Sequence, residues 1–228
     1  MILAFFFAAL SAPSLASCPD VLTEDALVCR ALEAQKAGDP AEAAADFEQA
    51  AALAKAGSEA ASRAWAAAGN LWIAASQPGK AVAALDKALQ PNSLDSVQRG
   101  EALLDRGRAA ADLGDLKTAR AKITEASQTI SQDPFLWYFS AALAIREGDA
   151  STAKTSIARA LALVPNDPAM LFEAGHVAQF AGDDVGARDY WTRAAATDPN
   201  GEAGKAAREA LKMIGPSLTV KMEPASPR

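Results

Sequence analysis

The side chains best suited to covalent or metal chemistry are few and far apart in this sequence. It contains one histidine, His176, and two cysteines, Cys18 and Cys29. A Ser-His-Asp or Cys-His arrangement would have to use His176, and a zinc site needs clustered Cys or His ligands. No glycine-rich phosphate-binding loop follows a strand, because no strand is predicted. We therefore predict no catalytic residues, no metal, no cofactor and no small-molecule substrate.

Both cysteines lie near the amino terminus, behind an apolar segment. Residues 1–17, MILAFFFAALSAPSLAS, carry no charge. Their apolar block is shorter than the about 20 residues that a membrane-spanning helix needs. A short apolar stretch followed by small residues is typical of a secretory signal, and cleavage after Ser14-Leu15-Ala16 would release a chain that begins at Ser17.

Cys18 allows two interpretations, and the sequence leaves both open. Two cysteines in an exported chain suggest a disulfide between Cys18 and Cys29. However, the run Leu15-Ala16-Ser17-Cys18 also resembles the bacterial lipobox, whose cysteine is lipidated and becomes the first residue. Without a disulfide, Cys29 would be a small buried residue of the first helix. We predict a periplasmic, exported protein, with a lipoprotein attached to the envelope membrane as the alternative.

Composition predicts an all-helical chain. Hydrophobic residues make up 50% of the sequence but aromatic residues only 6%, and alanine supplies most of the apolar content. Alanine has the highest intrinsic helix propensity. The net charge is −6 and no basic run is present, which argues against nucleic-acid binding, since that requires a basic surface that displaces phosphate counterions.

An internal repeat of 34 residues organises the second half of the chain. Two copies follow each other directly, Pro134–Asp167 and Pro168–Gly201. Gly-Asp pairs recur at this spacing, as at Gly148 and Gly182, together with alanines and a closing proline. A fixed period of this size indicates stacked helical hairpins, in which the glycine ends one helix and the aspartate caps the next.

This pattern is similar to that of the tetratricopeptide repeat (TPR) family. The resemblance implies an all-α, right-handed superhelical solenoid that acts as a protein-binding scaffold and not as an enzyme. Backward extension of the register predicts five hairpins plus a capping helix and a disordered tail. The predicted repeats are 24–57, 62–95, 100–133, 134–167 and 168–201, followed by the cap at 202–214 and the tail at 215–228.

Two departures from the 34-residue register carry structural predictions. Between the first three repeats the period is 38 residues, so we expect a longer second helix or connector there, because four residues add about one helical turn. At the corner of the second repeat, Ser76-Gln77-Pro78-Gly79 replaces Gly-Asp, and we expect a differently shaped turn without loss of the hairpin. Trp137 is predicted to be a core residue.

In proteins that resemble this family, four positions of each first helix line a concave groove that holds a peptide or partner protein. Transferred to this sequence, they predict a groove that is polar near its start and aromatic further along. A clamp for a carboxyl terminus, which uses Lys and Asn at such places, is not expected, since Ala66 stands beside Asn70. The residues predicted to contact the partner are Asn70, Arg108, Phe135, Tyr138, Ile145, Phe172 and His176.

Overall fold

The computed structural model describes residues 18–90 and 92–214, and within these ranges the chain forms eleven α-helices and no strand. The predicted signal segment 1–17 and tail 215–228 lie outside the described residues. Among the helices that are described, none has the length and apolar character needed to cross a membrane. The helices are α1 Glu24–Ala37, α2 Pro40–Leu53, α3 Glu59–Ala74, α4 Pro78–Leu89, α5 Ser96–Asp112, α6 Leu116–Ala126, α7 Pro134–Glu147, α8 Ala150–Leu163, α9 Pro168–Phe180, α10 Asp184–Thr197 and α11 Glu202–Met213.

The helices pack as five successive hairpins, α1/α2 to α9/α10, with α11 against the last pair. First helices also contact one another along the chain, α3 with α5, α5 with α7, α7 with α9 and α9 with α11. They therefore form a continuous layer. The prediction of an all-α solenoid of helical hairpins is confirmed, and α11 covers the end of the stack as a terminal repeat requires.

The Gly-Asp pairs form the hairpin corners as predicted. Gly148 ends α7 with φ 79°, in the left-handed region, and its N–H donates to the carbonyls of Ala144 and Ile145. Asp149 then caps α8, because its carboxylate accepts a hydrogen bond from the Thr152 N–H at 3.0 Å. Glycine takes the left-handed conformation without the steric penalty that a Cβ brings.

The corner of the second repeat has the same shape as the others, so the expected different turn is wrong. Ser76 occupies the place that Gly38 has in the first repeat and adopts φ 56°, the one positive φ of a non-glycine residue in the described part of the chain. The Gln77 N–H donates to the Trp72 carbonyl at 2.8 Å, the same type of bond that closes the first hairpin. The surrounding hairpin packing imposes the left-handed conformation on a serine.

The 38-residue spacing does not lengthen the second helices. α2 has 14 residues and α4 has 12, whereas the first helices α3 and α5 have 16 and 17. The extra residues lie in the connectors and in the first turns of α3 and α5. These helices begin at residues 59 and 96, before the predicted repeat starts at 62 and 100. The longer second helix was therefore the wrong alternative.

Close contacts between the two helices of a hairpin depend on small residues. A Cβ at Gly175 would lie 2.2 Å from Trp191 Nε1, so glycine is required for α9 to approach α10. Trp191 is only 1% exposed. Trp137, in contrast, is half-buried: its indole donates to the Ser131 carbonyl at 2.8 Å, and the Arg159 guanidinium lies 4.4 Å from its ring. The prediction that Trp137 is a core residue is corrected accordingly.

Cys18 and Cys29 form a disulfide, with their Cα atoms 5.7 Å apart. It fastens the segment before α1 to that helix, as does Arg30, whose guanidinium donates to the Pro19 and Val21 carbonyls. Lipidation would use the same Cys18 sulfur, so a lipidated chain cannot have this bond. Glu33 approaches the two sulfurs, but disulfide sulfurs are not the thiolates that bind metals.

Candidate functional site

The seven predicted groove residues lie on the first helices α3, α5, α7 and α9, and none of them is buried. Contacts link six of them in two sets. Asn70, Arg108, Phe135 and Tyr138 belong to one set, and Phe172 and His176 to the other. Ile145 shares a pocket with His176. The structure therefore places the predicted residues around two neighbouring pockets of the groove.

The amino-terminal pocket, between α3 and α5, has a volume of about 620 Å³. Asn70, Arg108 and Phe135 line it, and Leu71 and Leu104 contribute an apolar part of its wall. At the centre of its polar part lies Asp105, a residue that the sequence reasoning did not select. The size is typical of a pocket that accepts a side chain or a small ligand.

Asp105 has hydrogen-bond donors on both carboxylate oxygens. Asn70 Nδ2 donates to Oδ2 at 2.8 Å, and Arg108 Nη1 donates to Oδ1 at 2.6 Å. The pair with Arg108 is largely shielded, since the side chains are 26% and 15% exposed. Two predicted ligand-binding groups are thus engaged with a carboxylate of the protein itself, and this part of the groove is electrostatically satisfied.

Glu101 gives the same pocket an acidic edge. Its pKa is raised above the ordinary value, first by partial burial and then by the negative charges of Asp133, Asp105 and Asp95. A carboxylate in such surroundings is stabilised in its neutral form. Glu101 therefore carries its charge at neutral pH at some expense of folding stability.

Aromatic rings connect the two pockets. The Arg108 guanidinium lies 5.2 Å from the centre of the Phe135 ring, and Phe135 stacks on Tyr138 with ring centres 5.7 Å apart. The pKa of Tyr138 is raised by its burial and, to a smaller extent, by the negative charge of Glu173. The predicted change from a polar to an aromatic surface along the groove is present in the structure.

The carboxy-terminal pocket, between α7 and α9, has a volume of about 520 Å³ and is lined by Ala142, Ile145, Glu173, His176 and Phe180, among others. The His176 ring lies edge-on to two neighbours, 4.3 Å from Phe172 and 5.6 Å from Trp191 between ring centres. Aromatic contacts on both sides thus fix the orientation of the imidazole.

Glu173 is a buried carboxylate in the wall of this pocket. Its side chain is only 9% exposed, and its nearest charged neighbour is His176, whose Nδ1 lies 3.5 Å from Oε2. That distance exceeds the about 2.7–3.2 Å of ordinary N–H···O hydrogen bonds. Within the described part of the chain no hydrogen bond to the Glu173 carboxylate is present. A buried carboxylate without a close donor is energetically unfavourable.

The sequence reasoning missed Asp105 and Glu173, although one signal for each was available. They are 68 residues apart, which is two 34-residue periods, and so occupy equivalent positions. Glu173 is the one acidic residue of the otherwise apolar helix α9. An isolated carboxylate in such a helix, at a position shared with a second carboxylate two repeats earlier, distinguishes these residues from the acids scattered over the outer helices.

Solved structures with the same architecture are similar to this chain at low sequence identity. YrrB, described as a TPR protein with an unusual peptide-binding site, superposes with a TM-score of 0.60 at 18% identity, over 83% of this chain and 93% of that one. PilW, described as a widely conserved type IV pilus biogenesis factor, gives 0.68 at 21%, over 80% and 81%. The pilF protein of Pseudomonas aeruginosa gives 0.64 at 16%, over 84% and 83%.

Sequence comparison adds nothing to this structural likeness. No protein-family model matches the chain, and no curated protein matches it significantly. The similarity to the solved structures nevertheless covers four fifths of the chain or more in each of these cases. The protein has the tetratricopeptide repeat fold, as the spacing of its Gly-Asp corners predicted.

Proposed function

We propose that the protein is an exported, non-enzymatic scaffold that binds a segment of a partner protein in its groove. The observation that carries the proposal is the continuous set of exposed or half-buried polar and aromatic side chains along the first helices. Exposed apolar rings with nearby polar groups are typical of surfaces that recognise peptides or helices. Phe135 is 36% exposed and Phe180 is 40% exposed, and each lines one of the two pockets.

The likeness to YrrB supports the peptide-binding part of this proposal, since that protein is described as having a peptide-binding site. PilW is described as a pilus biogenesis factor, which favours a role in assembly at the cell envelope. Support for export comes from the apolar segment 1–17 and from the disulfide, because disulfides persist in oxidising compartments.

A pull-down from a periplasmic extract tests the groove. The wild-type protein should recover a partner that the double variant Tyr138→Ala, Arg108→Ala loses. A matched control is available on the outer helix α10, where Arg193 lies 5.5 Å from the Tyr190 ring. The double variant Tyr190→Ala, Arg193→Ala should recover as much partner as wild type. Equal recovery by the wild-type and groove variants would refute the assignment of the groove.

Mass spectrometry of the mature protein tests the compartment and the state of Cys18. We expect a chain that begins at Ser17, with the mass of an intact Cys18–Cys29 disulfide. A chain that begins at an acylated Cys18 would instead establish the alternative, a lipid-anchored component of an envelope assembly or secretion complex. An uncleaved chain with reduced cysteines would contradict export.

A further inference from the structure

Two equivalent carboxylates of the groove differ in the donors that surround them. Asp105 accepts hydrogen bonds from Arg108 on its own helix and from Asn70 on the preceding first helix. In the register of the repeats, His176 corresponds to Arg108 and Ala142 corresponds to Asn70, again at 68 and 72 residues along the sequence. His176 remains 3.5 Å from Glu173, and the methyl group of Ala142 donates nothing. Glu173 therefore lacks the two donors that Asp105 has.

The missing side chain also leaves space. Ala142 lines the carboxy-terminal pocket, whose volume is about 520 Å³. Beside it, Ile145 and Phe180 form an apolar wall, and Phe180 is 40% exposed. An incoming group could thus reach the Glu173 carboxylate through an apolar opening. A ligand group that fills this space must have an apolar stem and a donor at its end.

The one permanent cation that lines the pocket is engaged elsewhere. Arg146 Nη2 donates to the Ala111 carbonyl in the last turn of α5, at 2.6 Å. A cation at a helix carboxyl end is stabilised by the helix dipole, so this guanidinium has a favourable partner of its own. The pocket consequently offers a buried negative charge that the protein does not neutralise with a close salt bridge.

We infer that the carboxy-terminal pocket binds a lysine or arginine side chain of the partner segment, with its charged end at Glu173 and its methylenes against Ile145 and Phe180. Such side chains combine an apolar stem with a cationic donor, and charge-assisted hydrogen bonds to a carboxylate are among the strongest in proteins. The inference rests on the proposed function, because it names the chemistry of the segment that the groove holds.

A random dodecapeptide library displayed on phage supplies the probe. Selected on the purified, disulfide-bonded protein, it should yield peptides that share a Lys or Arg flanked by apolar residues. The same selection on Glu173→Gln should lose the basic residue and keep the apolar ones. Glu202→Gln, in which a fully solvated carboxylate is changed on α11, is the matched control and should select the same peptides as wild type.

Affinity measurements then locate the contact. For the best peptide, replacement of its basic residue by norleucine should weaken binding to wild type by about tenfold or more, as close charge pairs at interfaces do. The same replacement should change binding to Glu173→Gln by less than about twofold, because a double-mutant cycle isolates the interaction between the two groups. Circular dichroism establishes that the variant is folded.

A second variant tests the pocket without removal of Glu173. Ala142→Asn introduces the donor that Asn70 provides to Asp105, so it should occupy Glu173 and reduce the affinity for the basic peptide by about tenfold. Unchanged affinity in this variant, or equal norleucine losses in wild type and Glu173→Gln, would overturn the inference. A selected consensus without a basic residue would overturn it too but leave the groove function standing, whereas selection of no peptide by wild type would count against the groove function itself.

Discussion

The two pockets of the groove are built on the same repeat, yet they use equivalent carboxylates in opposite ways. In the amino-terminal pocket, Asp105 is joined to Asn70 and Arg108 by hydrogen bonds of 2.8 and 2.6 Å. In the carboxy-terminal pocket, Glu173 is 9% exposed and its nearest charged partner is 3.5 Å away. The first arrangement stabilises the fold, whereas the second keeps a buried charge that folding alone does not need.

This difference teaches that the polar residues of a TPR groove are not all binding groups. Asn70 and Arg108 have the side chains expected of ligand contacts, but they are already bonded to the protein. Functional sites are often kept at a cost in stability, and by that criterion the carboxy-terminal pocket is the better candidate. The following predictions test this contrast.

The largest effect is expected in the packing beneath the carboxy-terminal pocket. Trp191→Ala should lower the free energy of unfolding by about 3–5 kcal/mol, as large-to-small changes in cores do, because Trp191 is 1% exposed and holds α9 and His176. Trp137→Ala should lose clearly less, since Trp137 is half-buried. Urea denaturation of both variants measures the difference. Equal losses would show that the packing assigned to Trp191 is wrong.

The repeat register made much of this structure predictable, and the reason is visible at the corners. Gly148 and Asp149 act within a few residues of each other, so sequence spacing alone identifies them. Asp105 and Glu173 depend on helices more than 30 residues apart, such as α3 for Asn70 and α7 for Ala142. Their environments follow from packing between repeats. Trp137 was misjudged for the same reason, because its exposure depends on which neighbours cover it.

A second effect concerns the amino-terminal pocket. Asp105→Asn removes the charge that holds Arg108 and disturbs the bond from Asn70, so it should lower the free energy of unfolding by about 1–2 kcal/mol. Asp86→Asn is a control for a more exposed pair, as the Asp86 side chain is 50% exposed and pairs with Arg106, and its loss should be about 0.5 kcal/mol. A neutral Asp105→Asn variant would remove the contrast between the pockets.

The smallest effect is a pH dependence at Glu101. Its folded-state pKa is raised above the model-peptide value of 4.5, chiefly by burial, so the folded state loses stability relative to the unfolded one as pH rises from 4.5 through that pKa. Glu101→Gln should therefore be slightly more stable than wild type at pH 7, by less than about 0.5 kcal/mol. The gain should vanish at more acidic pH, which urea denaturation between pH 3 and 7 would detect. A gain that persists at the acidic end would contradict this origin.

The most direct test of the central claim compares the unfolding free energies of wild type and Glu173→Gln without and with the basic peptide that wild type selects. Without peptide, Glu173→Gln should be at least as stable as wild type, because it removes a buried charge that has no close donor. With peptide present, wild type should gain more stability than the variant, since stabilisation by a ligand follows its affinity for the folded state. Destabilisation of the variant without peptide, combined with equal gains from peptide, would show that Glu173 serves the fold and not the partner.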